Sequence, residues 1–396
     1  MIEPKLRFKA DDGSQFPEWE EKTIDEVAEC LDNKRVPVNS EERKKRVGVI
    51  PYYGAGGIQG YIDDYLFDEE LVLLLEDGDA FDDFQTKSIA QYVTGKSWVN
   101  NHAHVLRANG NSYFLFASLE HKDIRRWTQL AGASRKKLLK DSMLKITINM
   151  PSLAEQQKIA EFLSTIDTVI AKQKETVSAW EERKKGVMQK LFSQEVRFKA
   201  DDGSDFPEWE EKKLGDVFEI SSETNGNKYD KQQVMSVSDE YGVVNQIELQ
   251  GRSFAGNDIS KYKIVKTGQI VYTRSPLATK PYGIIKLVGD ETGIVSPLYI
   301  VNTVCDNNSS LFWYYYFDTP ERTNNYLKPL VRMGAKHTMN ISNEEWLSGK
   351  ILAPCHAEQQ KIADCLSSLD DVIEKQKAAL VAWEEMKKGL LQQMFV

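Results

Sequence analysis

Donor-bearing and planar side chains gather in two stretches of this chain. One contains Tyr52, Tyr53, Lys96, Asn100, Asn101 and His102, and the other Arg274, Lys280, Tyr282, Lys336 and His337. Lysine and arginine suit phosphate oxygens or the guanine edge, and an asparagine amide can pair with adenine at two places at once. Cations mixed with amide, imidazole and phenol groups therefore suit a surface that positions itself on a nucleic-acid backbone and reads base edges. Further basic groups fall at Arg43–Arg46, Arg125–Arg126, Arg135–Lys137 and Arg332, each of which taken singly also fits a solvated face.

Patterns for catalysis fail one by one. Gly95-Lys96-Ser97 resembles the end of a phosphate-binding loop, but the required earlier glycine is Ala90. Gly54, Gly56, Gly57 and Gly60 resemble a dinucleotide fingerprint, but Gln59 stands where a glycine is needed, so a tight turn is the better reading. His102 and His104 alternate along an expected strand with no third ligand at suitable spacing, which favours polar contacts over a metal. Asp79, Asp82 and Asp83 read as a solvated loop. No two prolines are adjacent and no Pro-Asp pair occurs, which excludes an N-P-P-[YF] methyltransferase signature and leaves no obvious PD-type nuclease core. The expectation is a non-catalytic chain with no metal and no cofactor of its own.

The elements that position these residues come from a duplication. Arg7–Lys22 (RFKADDGSQFPEWEEK) recurs with one substitution as Arg197–Lys212. Pro151–Phe192 recurs as Pro354–Phe395, with AEQQKIA, AWEE and KKG at the same spacings. Apolar residues there fall at alternating steps of four and three, the period of a coiled coil. One helix presents Ile159, Leu163, Ile166, Ile170, Gln173 and Trp180, and the other Ile362, Leu366, Leu369, Ile373, Gln376 and Trp383. Parallel pairing would set Lys184 against Lys387 and Trp180 against Trp383, so antiparallel pairing is expected. That direction brings Lys184 near Leu369, Trp180 near Ile373 and Trp383 near Ile170. Ser152 with Glu155 predicts a capping box at the first helix start, and Cys355 removes it in the copy.

Between these frames lie two unlike inserts. Strands are expected at Val47–Tyr61 (running into a glycine-rich loop), Glu70–Glu76 and Ala103–Arg107 in the first. In the second they are expected at Gln269–Thr273, Gly283–Val288 and Gly293–Val301, with an aromatic helix at Ser310–Asp318. A shared ending, Gly132-Ala133 with Lys136-Lys137 and Gly334-Ala335 with Lys336-His337, precedes each long helix. The predicted architecture is α+β, with two mixed α/β domains (1–150 and 193–353), a two-helix antiparallel coiled coil (151–192 and 354–396) and a pseudo-twofold internal repeat. The 396 residues allow two to three domains, each able to bury a core. A net charge of −9 requires any attraction to nucleic acid to come from local patches or from a partner. Four scattered cysteines read as free thiols in a reducing cytoplasm, and no run of eighteen apolar residues suggests a membrane span.

The chain resembles the specificity (S) subunits of type I restriction–modification systems. The resemblance rests on P-x-x-A-E-Q-Q-K-I-A at Pro151–Ala160 and Pro354–Ala363, on the helices that follow, and on W-x-x-x-x-[LI] at Trp19–Ile24 and Trp209–Leu214. It implies two target-recognition domains, each reading half of a split double-stranded DNA site in the major groove about one helical turn apart, with the helices as a ruler. It also implies docking of two methyltransferase (modification) subunits and, through them, restriction/translocase subunits. S-adenosylmethionine, Mg²⁺ and ATP would belong to those partners. The residues alone leave open a coiled-coil adaptor whose inserts bind peptide or carbohydrate.

Overall fold

The computed structural model describes residues 4–131, 135–274, 276–333 and 339–395. The chain forms two units, Met1–Thr176 with Gln376–Val396 and Val177–Lys375. Both long helices, Leu153–Phe192 and His356–Phe395, therefore contribute to each unit.

In the first unit a four-stranded antiparallel sheet runs in the order Ala28–Cys30, Ala103–Ala108, Leu71–Leu75 and Ala90–Val93. Leu71–Leu75 is buried throughout. Side chains alternate across a strand, so Val72 and Leu74 enter the main core while Leu71 and Leu73 enter a smaller one behind the sheet. Helix Ser112–Leu119 is buried along its whole length, and its start is capped by the Asn111 side chain, which accepts from the Phe114 amide at 2.8 Å. A second sheet orders Gly57–Ile62, Ile50–Gly54, Lys96–Val99 and Phe67–Asp68. The glycine-rich stretch is its hairpin, with Gly57 at φ 121° and Gly60 at φ 152°, where glycine is favoured.

The second unit repeats the central sheet with different residues: Phe218–Ile220, Ile300–Val304, Ile270–Thr273 and Ile284–Leu287. Its aromatic helix, Ser310–Asp318, is capped by Ser309. The expected strand Gly293–Val301 divides into Gly293–Val295 and Ile300–Val304, because Pro297 between them has no amide proton for a ladder. Two unlike inserts thus share the order of the central sheet, while the second four-stranded sheet of the first unit is replaced by two-stranded pairs in the second.

The helices pair antiparallel within each unit. In the first, Ile159, Leu163, Ile166 and Ile170 share a core with Leu391 and Met394, and Trp383 packs against it. Gln173 Nε2 donates to the Gln376 carbonyl at 2.9 Å and to its Oε1 at 2.7 Å, while Lys387 meets Asp167 at 2.9 Å. Rising numbers on one helix meet falling numbers on the other. In the second unit Ile362 and Leu366 share a core with Met188, Leu191 and Phe192, and Leu369 packs against it. Lys184, expected beside Leu369, reaches the neighbouring Asp370 at 2.6 Å. The seam lysines are therefore neutralised. Asp167 also accepts from the Tyr113 hydroxyl, and Asp370 from the Tyr315 hydroxyl at 2.7 Å, which ties each seam to the aromatic helix of an insert.

The expected capping box is only half formed. Ser152 Oγ accepts from the Glu155 amide at 3.4 Å, but the Glu155 carboxylate turns to Arg7 and Trp19. Arg7 donates through Nε at 3.1 Å and Nη2 at 2.8 Å, and Trp19 Nε1 donates at 3.2 Å. Arg197, Trp209 and Glu358 repeat the arrangement at 3.1, 2.9 and 3.2 Å. A buried ion pair with two-point geometry outcompetes a cap exposed to water.

Candidate nucleic-acid interface

The second sheet of the first unit carries a row of cations. Tyr52 and Trp98 are register partners on neighbouring strands, so both rings lie on one face, and Lys96 shares it two residues from Trp98. Arg43 lies 4.6 Å over the Tyr52 ring, Arg46 4.5 Å over Trp98 and Lys96 4.6 Å over Tyr65. Ring faces attract a cation without neutralising it. Arg46 is also paired with Asp63 at 2.8 Å, whereas Arg43, Lys45 and Lys96 have no ion pair among the described residues. Such groups remain able to meet phosphate.

Several sequence-selected residues support this surface from beneath. Tyr52 is only 1% exposed, and its hydroxyl bonds the Val38 amide at 3.1 Å and carbonyl at 3.2 Å. Asn100 is 4% exposed; its Oδ1 accepts from the His102 amide at 2.8 Å and its backbone amide donates to Tyr53 at 3.0 Å. The readings of Tyr52 and Asn100 as base contacts are corrected accordingly: their polar groups hold the hairpin. Tyr53 is half-buried, and burial, with Tyr61 nearby, pushes its phenol upward. Asn101 is exposed at the turn, and His102 Nδ1 lies 3.0 Å from Asp77.

His104 shows what linear spacing concealed. Its ligand atoms and those of Asp32 and Glu76 lie within 4.8 Å of one another. Arg35 meets Glu76 at 2.6 Å and Asp32 at 3.3 Å, and Lys137 meets Glu76 at 3.0 Å. His104 Nδ1 faces Asp32 at 2.6 Å and Nε2 faces the Leu138 carbonyl at 2.9 Å. The carboxylates are thus neutralised and both ring nitrogens engaged, so the cluster is a balanced ion network. Burial pushes the Asp32 carboxyl up, but His104, the Val105 amide and Arg35 outweigh it and hold it below the usual 3.8.

In the second unit Lys280 is buried, with Nζ 2.6 Å from Asp239, which also meets Lys286 at 3.3 Å. The reading of Lys280 as a DNA contact is corrected, since its charge is neutralised inside the fold. Arg274 Nη2 donates to the Ile341 carbonyl at 2.8 Å, and the carbonyl of half-buried Tyr282 accepts from the Tyr272 hydroxyl at 2.7 Å. Lys336 and His337 lie outside the described residues. Exposed Phe254 under the Arg252 guanidinium, 4.6 Å away, and exposed Tyr241 were not selected from sequence. The adjacency R-S-F in a polar stretch is the signal that could have found Phe254.

A family model for the type I restriction modification DNA specificity domain matches twice, at residues 17–178 and 207–382. The type I restriction enzyme MjaVIII specificity subunit of Methanocaldococcus jannaschii is 26% identical over a 418-residue alignment covering 97% of this chain and 94% of that protein. The MjaX specificity subunit of the same organism is 25% identical over 315 residues, 72% of this chain and 68% of the relative. A type I restriction enzyme specificity subunit of Haemophilus influenzae is 40% identical over 157 residues, a match spanning 39% of this chain and 38% of that protein. The crystal structure of an S subunit from M. genitalium shares the fold, with a TM-score of 0.60 at 13% identity over 100% of this chain and 99% of the other.

Proposed function

The chain belongs to the type I restriction–modification DNA specificity family, and we propose that it reads a bipartite duplex site, one half with each unit, through the major groove. Members of this family are the non-catalytic subunits that recognise DNA sequence within restriction–modification assemblies. The observation that carries the two-part reading is the double family match over two inserts that share a central sheet order. The finer assembly is proposed too: two modification subunits dock on the long helices, and restriction/translocase subunits join through them. Among the described residues no helix is long and apolar enough to cross a membrane, and we place the working complex in the cytoplasm, with the DNA.

The net charge of −9 makes local cations and the partner subunits the source of attraction. Binding-site selection with the assembled modification complex tests the proposal. It should return two short fixed sequences separated by an unread gap, with affinity falling steeply as salt rises. An adaptor for neutral peptide or carbohydrate would return no sequence and show no such slope.

A further inference from the structure

Helix Ser40–Lys45 ends in three cations and leads through Arg46 into strand Ile50–Gly54. The intervening loop holds two valines that are 82% and 84% exposed, Val47 and Val49. Burying such a side chain is ordinarily favourable, and nothing among the described residues covers either one. The loop is nevertheless anchored. Arg46 stacks on Trp98 and pairs with Asp63, and a Cβ on Gly48 would fall 2.1 Å from the Ile62 carbonyl oxygen. The backbone is therefore pressed onto the neighbouring strand between the valines. A β-branched side chain has few rotamers to lose on docking.

We propose that Val47 and Val49 form an aliphatic reading pair that contacts thymine methyl groups in the half-site read by the first unit. The occupant is argued from charge: Arg43 and Lys45, unpaired among the described residues, precede the valines and suit a polyanion. In the major groove only thymine presents a methyl group, so an aliphatic side chain beside phosphate-binding cations distinguishes A·T from G·C pairs. Arg43, Lys45 and Lys96 set the position on the backbone, and the valines supply discrimination. This inference rests on the DNA-reading function proposed above.

The test uses the full chain assembled with its modification subunits and duplexes carrying the sequence it methylates. Thymines in the half-site altered by exchanging residues 23–150 are replaced singly with deoxyuridine, which lacks only the methyl. At least one replacement should weaken binding about fourfold, the effect of one buried methyl. The Val47→Ala/Val49→Ala variant should bind thymine and deoxyuridine duplexes alike, while recognition of the other half-site confirms that it is folded. A half-site without thymine, no deoxyuridine effect in the parent chain, or a variant with full methyl sensitivity would overturn the inference. Sequence-specific binding that ignores thymine methyls sinks this inference alone, whereas the absence of any sequence preference sinks the proposed function with it.

Discussion

Arg7 and Glu155 are 148 residues apart in the chain and meet as a two-point ion pair, with Glu155 fully buried. Lys158 adds bonds to the Lys9 carbonyl at 2.9 Å and to Asp11 at 2.5 Å, and Lys361 repeats them on Lys199 and Asp201 at 2.8 and 2.6 Å. These contacts explain why the two frames stay nearly identical while the inserts diverge. Each frame holds the same clasp between the start of a long helix and the entry of an insert.

Arg7→Met leaves a buried carboxylate without its cation and should cost about 3–5 kcal/mol of first-unit stability. Arg197→Met should cost the second unit a similar amount. Replacing Arg7 and Glu155 together with Met and Leu should recover only part of the loss, because the buried Trp19 Nε1 donor then loses its acceptor. Calorimetric unfolding of the three variants checks this; a harmless Arg7→Met would show that the clasp is incidental.

The Gln173–Gln376 bond makes the seam sensitive to single and double replacement in opposite ways. Gln173→Leu leaves the half-buried Gln376 amide without its partner and should cost about 1 kcal/mol. Leucine at both positions should be neutral or stabilising, since polar seam residues fix register at some cost in stability. Denaturation of the two variants decides it, and a double variant worse than the single would contradict the pairing.

Asp239 gives a pH dependence. Burial pushes its carboxyl up, but Lys280 and Lys286 outweigh that and hold it below its ordinary 3.8. A folded value below the unfolded one gives stability that is present above pH 3.8 and lost as pH falls through the folded value. Lys280→Met should shrink this acid step and lower the stability of the second unit. It should leave the salt slope of DNA binding unchanged, whereas a slope reduced by about one would return Lys280 to the DNA.

The long helices were legible because their period and duplication are local signals, and so was the aromatic helix Ser310–Asp318, found at its expected bounds. The roles of single polar residues were not. Ile50–Gly54 reads I-P-Y-Y-G, with large side chains on both faces, so alternation does not say which tyrosine faces inward. Lys280 looks free until Asp239, 41 residues away, is brought beside it. His102 and His104 have no third ligand in sequence, whereas in space His104 meets Asp32 and Glu76 without His102. Glu155 fits a capping box until its distant arginine arrives. Long-range ion pairs erase local signals because they satisfy a charge more fully than a neighbour on the same turn.

The central claim is that one insert reads one half of the site. Residues 23–150 are exchanged for the matching segment of a relative, the chain is expressed with its modification subunits, and methylated adenines are mapped across the cell's DNA. One half of the methylated sequence should change while the other half stays as it was. A change in both halves, or in neither, would contradict the account.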